Sequence, residues 1–138
     1  MIFMKKYILI FIVLFMLSCS KRVVDSNVKS TSPTSVDGFW MGEHGDAFTN
    51  AYAQFSEING RIYMSHFLEF ENQPYYEVGV GVRKGDSLLY HVEAKRKIPG
   101  WSPEGDHYLK IDESGNKISG YFIDQRGSKG KMIFNRLR

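Results

Sequence analysis

Chemistry in this 138-residue chain would begin at its histidines, its carboxylates and its single cysteine. His66 lies among apolar neighbours, between Met64 and Leu68. An imidazole so placed orients a ligand, binds a metal, or sits neutral and hydrogen-bonded in a core, the last being the common outcome. His44 stands beside Glu43 and Asp46, and His107 beside Asp106. Imidazole with carboxylate is a ligand set for a divalent cation, but this spacing matches no metal motif, and both pairs read as a solvated rim. Serine and aspartate are plentiful, yet Gly-x-Ser-x-Gly, a helix-borne His-Glu pair and a paired-carboxylate constellation are missing from the sequence. The expectation is a non-enzymatic protein with no cofactor and no metal, acting by binding.

Those residues are placed by a chain with three unlike parts. Lys5 and Lys6 precede the uncharged apolar run Tyr7 to Leu17. A helix that long rises only about 16 Å, short of the roughly 30 Å hydrocarbon core, so residues 1–18 read as a secretory signal rather than a membrane span. Ser18-Cys19 at the end of the run resembles the lipobox of bacterial lipoproteins. The resemblance implies a lipid on Cys19, a cell-envelope location anchored to membrane, and delivery to the outer membrane because Ser20, not aspartate, follows. Residues 19–35 are rich in serine and threonine with no sustained apolar period, as in a flexible tether.

With Cys19 committed to lipid, no disulfide is available, and stability must come from packing. The whole chain carries a formal charge of +3. Loss of residues 1–18 removes two of eighteen basic residues and none of fifteen acidic ones, leaving sixteen against fifteen. That near neutrality gives no warrant for a nucleic-acid partner.

Residues 36–138 show alternation broken by turn chemistry rather than a helical period. The predicted strands are Phe39 to His44, Phe48 to Ile58, Arg61 to Glu71, Tyr75 to Arg83, a fifth carrying Leu88, Tyr90, Val92 and Ala94, then His107 to Asp112, Lys117 to Asp124 and Lys131 to Leu137. In the fourth, Tyr76, Val78, Val80 and Val82 are expected to share the core face. Asn59-Gly60 is the strongest two-residue hairpin signal. Strands with hairpin-length links describe an all-β, eight-stranded up-and-down antiparallel barrel, since closure removes both edges. Tight turns at Asn59-Gly60, Lys84-Gly85-Asp86 and Ser114-Gly115-Asn116 fall at one end. Gly45-Asp46, Glu71-Asn72-Gln73, the Trp101 loop and Gln125 to Gly130 gather at the other, where a mouth is expected.

Gly38-Phe39-Trp40 on the first strand and Arg136 on the last resemble the signature of the lipocalin-like (calycin) barrels. In that family a basic residue from the last strand packs over the first-strand indole. The resemblance implies a structural role for Gly38, Trp40 and Arg136, and a barrel able to enclose one small ligand.

Two binding functions follow. In the first, a small apolar or amphipathic molecule is held inside by His66, Tyr76, Tyr90, Phe55, Phe70 and Phe122, residues that otherwise simply fill the core. Ala51 and Ala53 leave room on the second strand. In the second, Trp101, restrained by Pro99, Gly100, Pro103 and Gly105, anchors a periplasmic protein, as inhibitor or immunity-type lipoproteins do. If the same loop folds over the mouth, it favours the first reading.

Overall fold

Apolar–polar alternation needs a surface with two unlike faces, which a sheet curled on itself supplies. A computed structural model describes residues 34–43 and 48–138, with the backbone alone at Thr49. The signal segment, Cys19, the tether up to residue 33, His44 and Asp46 lie outside the described residues. Eight strands follow in order: β1 (Gly38–Gly42), β2 (Phe48–Ile58), β3 (Arg61–Phe70), β4 (Gln73–Lys84), β5 (Ser87–Arg96), β6 (Glu104–Ile111), β7 (Lys117–Asp124) and β8 (Lys129–Arg136). Each pairs antiparallel with the next, and β1 closes the ring on β8. The expected barrel is therefore present, and there is no helix among the described residues. The main boundary differences are that β6 and β8 start earlier than their sequence patterns indicate, and β1 stops at Gly42.

Turn chemistry sets the register. Asn59 and Gly60 both take positive φ, 52° and 74°, the mirror-image turn whose twist matches the strands it joins. Glu71 and Asn72 do the same at 49° and 62°. The β3–β4 link is thus as tight as those at the opposite end, which corrects its grouping with the longer loops.

The closed pole is sealed by the residues just before β1. Val36 is fully buried and its carbonyl accepts from Trp40 Nε1 at 3.0 Å. Arg136 faces Trp40 across the closing seam, its guanidinium 4.2 Å from the indole. It also donates to the carbonyls of Ser35, Asp37 and Gly115 at 2.6–2.7 Å. Arg83 holds the Thr34 carbonyl at 2.8 Å and pairs with Glu57 at 2.7 Å. Thr34 and Ser35, expected to belong to the free tether, are therefore strapped to the barrel. The signature contact between Trp40 and Arg136 is the centre of this seal, worth about 0.5–2 kcal/mol for the cation–π component.

The fourth strand reverses one expectation. Tyr75, Glu77, Gly79 and Gly81 turn inward, while Tyr76, Val78, Val80 and Val82 face out. The reason is space across the sheet. A Cβ on Gly79 would lie 2.9 Å from the Tyr90 ring, and one on Gly81 would lie 2.0 Å from the Leu89 carbonyl. Tyr90 on β5 leans over this glycine pair, so the valines take the outer wall, 41% exposed at Val80 and 45% at Val82. The other inward faces agree with the alternation: Ile62, Met64, His66 and Leu68 on β3, and Leu88, Tyr90, Val92 and Ala94 on β5.

The interior holds two apolar clusters. The larger, around Trp40, Phe55, Tyr90, Ile118 and Phe134, fills the closed half. The smaller, Ala51, Leu68, Tyr75, Ala94 and Ile98 with Phe48, Phe70 and Trp101, lies toward the mouth. His66 falls between Met64 of the first and Leu68 of the second, so a polar layer sits where the clusters meet.

Candidate functional site

Three polar side chains are buried in the barrel among the described residues: His66 on β3, Glu77 on β4 and His107 on β6. Each is inward by strand parity, and the neighbouring strands bring them together. His66 and Glu77 are register partners, and Nδ1 of His66 lies 2.9 Å from Glu77 Oε1. The Tyr75 hydroxyl donates to Glu77 Oε2 at 3.1 Å. His107 Nε2 is 3.9 Å from Glu77 Oε1, beyond hydrogen-bond length. Its Nδ1 is 3.2 Å from the Tyr90 hydroxyl. A β-bulge helps aim the carboxylate: pairing between β4 and β5 shifts register between Tyr76 and Glu77.

The electrostatics of the cluster follow from its burial. Desolvation alone would raise the Glu77 carboxyl, but the His66 hydrogen bond, the charge of both imidazoles and the Tyr75 hydroxyl hold it below the usual carboxylate range. Desolvation and the nearby carboxylate push the Tyr75 and Tyr90 phenols up. Burial brings His107 down to about 4 against the pull of Glu77. At neutral pH the site holds an ionised Glu77, a neutral His107 and two protonated phenols. Tyr90, whose only hydrogen-bond partner among the described residues is His107 Nδ1, donates to it, so the imidazole proton resides on Nε2.

Above this layer is a cavity of about 370 Å³, reaching from Glu77, His66 and His107 past Phe122 to Trp101 at the mouth. It lies within the roughly 300–1,000 Å³ range of small-molecule sites. No buried side-chain polar atom lacks a partner among the described residues, and His107 Nε2 has no acceptor in hydrogen-bond range, so that atom faces the cavity. A second concavity, about 460 Å³, lies on the outer wall between Leu89, Tyr108 and Tyr121 and includes none of the three buried polar residues.

The β5–β6 loop forms the mouth. Ile98 is buried, and Trp101 packs 5.0–5.6 Å from the rings of Tyr75, Phe70 and Phe48. Trp101 N–H donates to the Ile98 carbonyl, and Arg126 holds the Gly100 carbonyl at 3.0 Å. Trp101 is half-buried and turned over the cavity rather than standing clear of it.

The residues singled out from sequence divide accordingly. His66 and Phe122 line the cavity, and Phe70 supports its rim. Tyr90 lies beneath His107 as its hydrogen-bond donor. Phe55 packs against Trp40, Tyr90 and Phe134 in the closed half, away from the cavity. Tyr76 is on the outer wall, 37% exposed, because β4 presents its other face inward. His107 is inside the barrel rather than on the rim beside Asp106. Its parity with Leu109 and Ile111 was the available signal. Tyr75 and Glu77 were hidden by the valine alternation of the same strand. Asp106 points out and pairs with His91 at 2.9 Å. Among the described residues no group of three His, Cys, Asp or Glu side chains is arranged to hold a metal ion. Neither the models of known protein families nor the curated proteins include a match to this chain.

Proposed function

We propose that this protein is a lipid-anchored binding protein of the cell envelope, holding one small amphipathic molecule inside its barrel. The observation that supports the reading most is the cavity of about 370 Å³ with a polar floor of Glu77, His66 and His107 and an aromatic mouth. An apolar tail fits against Leu68, Val92 and Phe122, and a polar end meets the floor. The engagement of Trp101 with Tyr75, Phe70 and Phe48 favours a lid over a protein-docking anchor. The lipid on Cys19 and the outer-membrane location rest on the lipobox resemblance. They accord with a chain whose described part enters at Thr34, at the pole opposite the mouth.

Native mass spectrometry of the protein purified from its host tests this. A stoichiometric co-purifying small molecule, displaced when the mouth is narrowed by a bulkier residue at Ser102, which lines the cavity beside Trp101, supports the reading. A barrel that carries nothing and takes up no amphiphile on incubation overturns it.

A further inference from the structure

The floor of the cavity presents two unlike atoms to whatever enters. Glu77 Oε1 and Oε2 each accept one hydrogen bond from the protein, from His66 and Tyr75, and a carboxylate oxygen takes two. The floor therefore has acceptor capacity to spare, and it carries negative charge. His107 Nε2, 3.9 Å from Glu77 Oε1, carries a proton with no protein acceptor in range. Its tautomer is set from behind by Tyr90, which is buried and donates to Nδ1. An acceptor and a donor are thus held about one polar atom's width apart, at the base of a space lined by Leu68, Val92, Phe122 and Met132, with the charged Glu104, Asp124, Arg126 and Lys131 also in its lining.

We infer that the cavity selects a ligand whose polar end is a neutral group that both donates and accepts a hydrogen bond, such as a hydroxyl or primary amide, and excludes free carboxylates. The inference deepens the binding reading above and rests on it. A hydroxyl bridging the pair donates to Glu77 and accepts from His107, leaving no polar atom unmet. A carboxylate accepts from His107 but brings a second negative charge against Glu77, whose own carboxylate is buried. An alkylammonium satisfies Glu77 but confronts the His107 N–H with another donor, leaving that proton unpaired. The depressed titration of Glu77 and His107 agrees with this arrangement of charge and protons at neutral pH.

The test uses the full chain in lipid nanodiscs at pH 7.5, with empty nanodiscs as blank and four probes of one length: 1-octanol, octanamide, octanoate and octylammonium. Fluorescence reports binding at the mouth, since the chain has two tryptophans and Trp40 is buried at the other pole. The expected order places 1-octanol and octanamide ahead of octanoate by on the order of tenfold or more. Octylammonium is expected between them. Glu77→Gln is expected to bring octanoate within a few-fold of 1-octanol. His107→Leu, which removes the donor without touching the carboxylate, is expected to weaken 1-octanol about tenfold and leave octylammonium no weaker. If octanoate or octylammonium matches or exceeds 1-octanol in the unaltered chain, the head-group inference falls while the binding reading stands. If none of the four binds, the binding reading falls and takes the inference with it.

Discussion

Acid should loosen this barrel through one residue, His107. Its imidazole is buried beside Glu77, Tyr90 and Phe122, and it titrates at about 4 in the folded chain against 6.5 when unfolded. The folded value is the lower one, so the unfolded chain takes up the proton first as pH falls. Stability present above pH 6.5 is therefore lost progressively down to about pH 4. The gap is worth about 3 kcal/mol, a large share of the 5–15 kcal/mol typical of a domain. Glu77, depressed in the folded state, acts at lower pH: its contribution is full above its unfolded value and is lost as pH falls through the folded one. His91 has the opposite sign. Asp106 raises it, so its contribution is full below pH 6.5 and is lost as pH rises, but it is half-exposed and screened. The assay is urea unfolding followed by far-UV circular dichroism at pH 7.0 and 4.5, on the unaltered chain and on His107→Gln, whose amide oxygen still accepts from Tyr90. The unaltered chain should lose about 2 kcal/mol more than the variant across that interval, the remainder going at lower pH. Equal losses in the two proteins, or an NMR titration of His107 centred near 6.5, would refute the reasoning.

Other substitutions probe the remaining parts. Arg136→Met should lower the urea midpoint by the equivalent of about 1–3 kcal/mol, since three carbonyls and the Trp40 face lose one partner, and Arg136→Lys should not rescue it. Glu77→Ala strands the donors of His66 and Tyr75 and should cost about 3–5 kcal/mol in the same assay, Glu77→Gln clearly less. Gly81→Ala should destabilise by about 1–3 kcal/mol or more, because the added methyl meets the β5 backbone rather than a side chain that can turn aside. Trp101→Ala should keep the barrel's far-UV spectrum and weaken 1-octanol binding roughly tenfold by calorimetry.

Strand positions, the Asn59-Gly60 turn, ring closure and the Trp40–Arg136 contact were all legible in the linear sequence. The strands and the turn depend on residues whose preference is local, an alternation that demands two faces and a turn that demands positive φ, whereas the Trp40–Arg136 contact joins the first strand to the last and was expected only through the resemblance to the lipocalin-like signature. Which face of β4 turned inward was not legible. Val78, Val80 and Val82 are apolar and aligned, and no property of that strand alone says they belong outside. The decision was made across the sheet, where Tyr90 occupies the space over Gly79 and Gly81 and leaves the odd-numbered side, with Glu77, for the interior.

The site therefore divides by the range of the forces that built it. Short-range patterning was enough to place His66 inside and to raise a barrel around it. Bringing Glu77 and His107 to within 3.9 Å of each other required strands whose order and register exist only once the ring has closed. Steric competition between side chains distant in sequence chose the inward face, and that choice put a charge in the barrel where the chain's own alternation had pointed to valine.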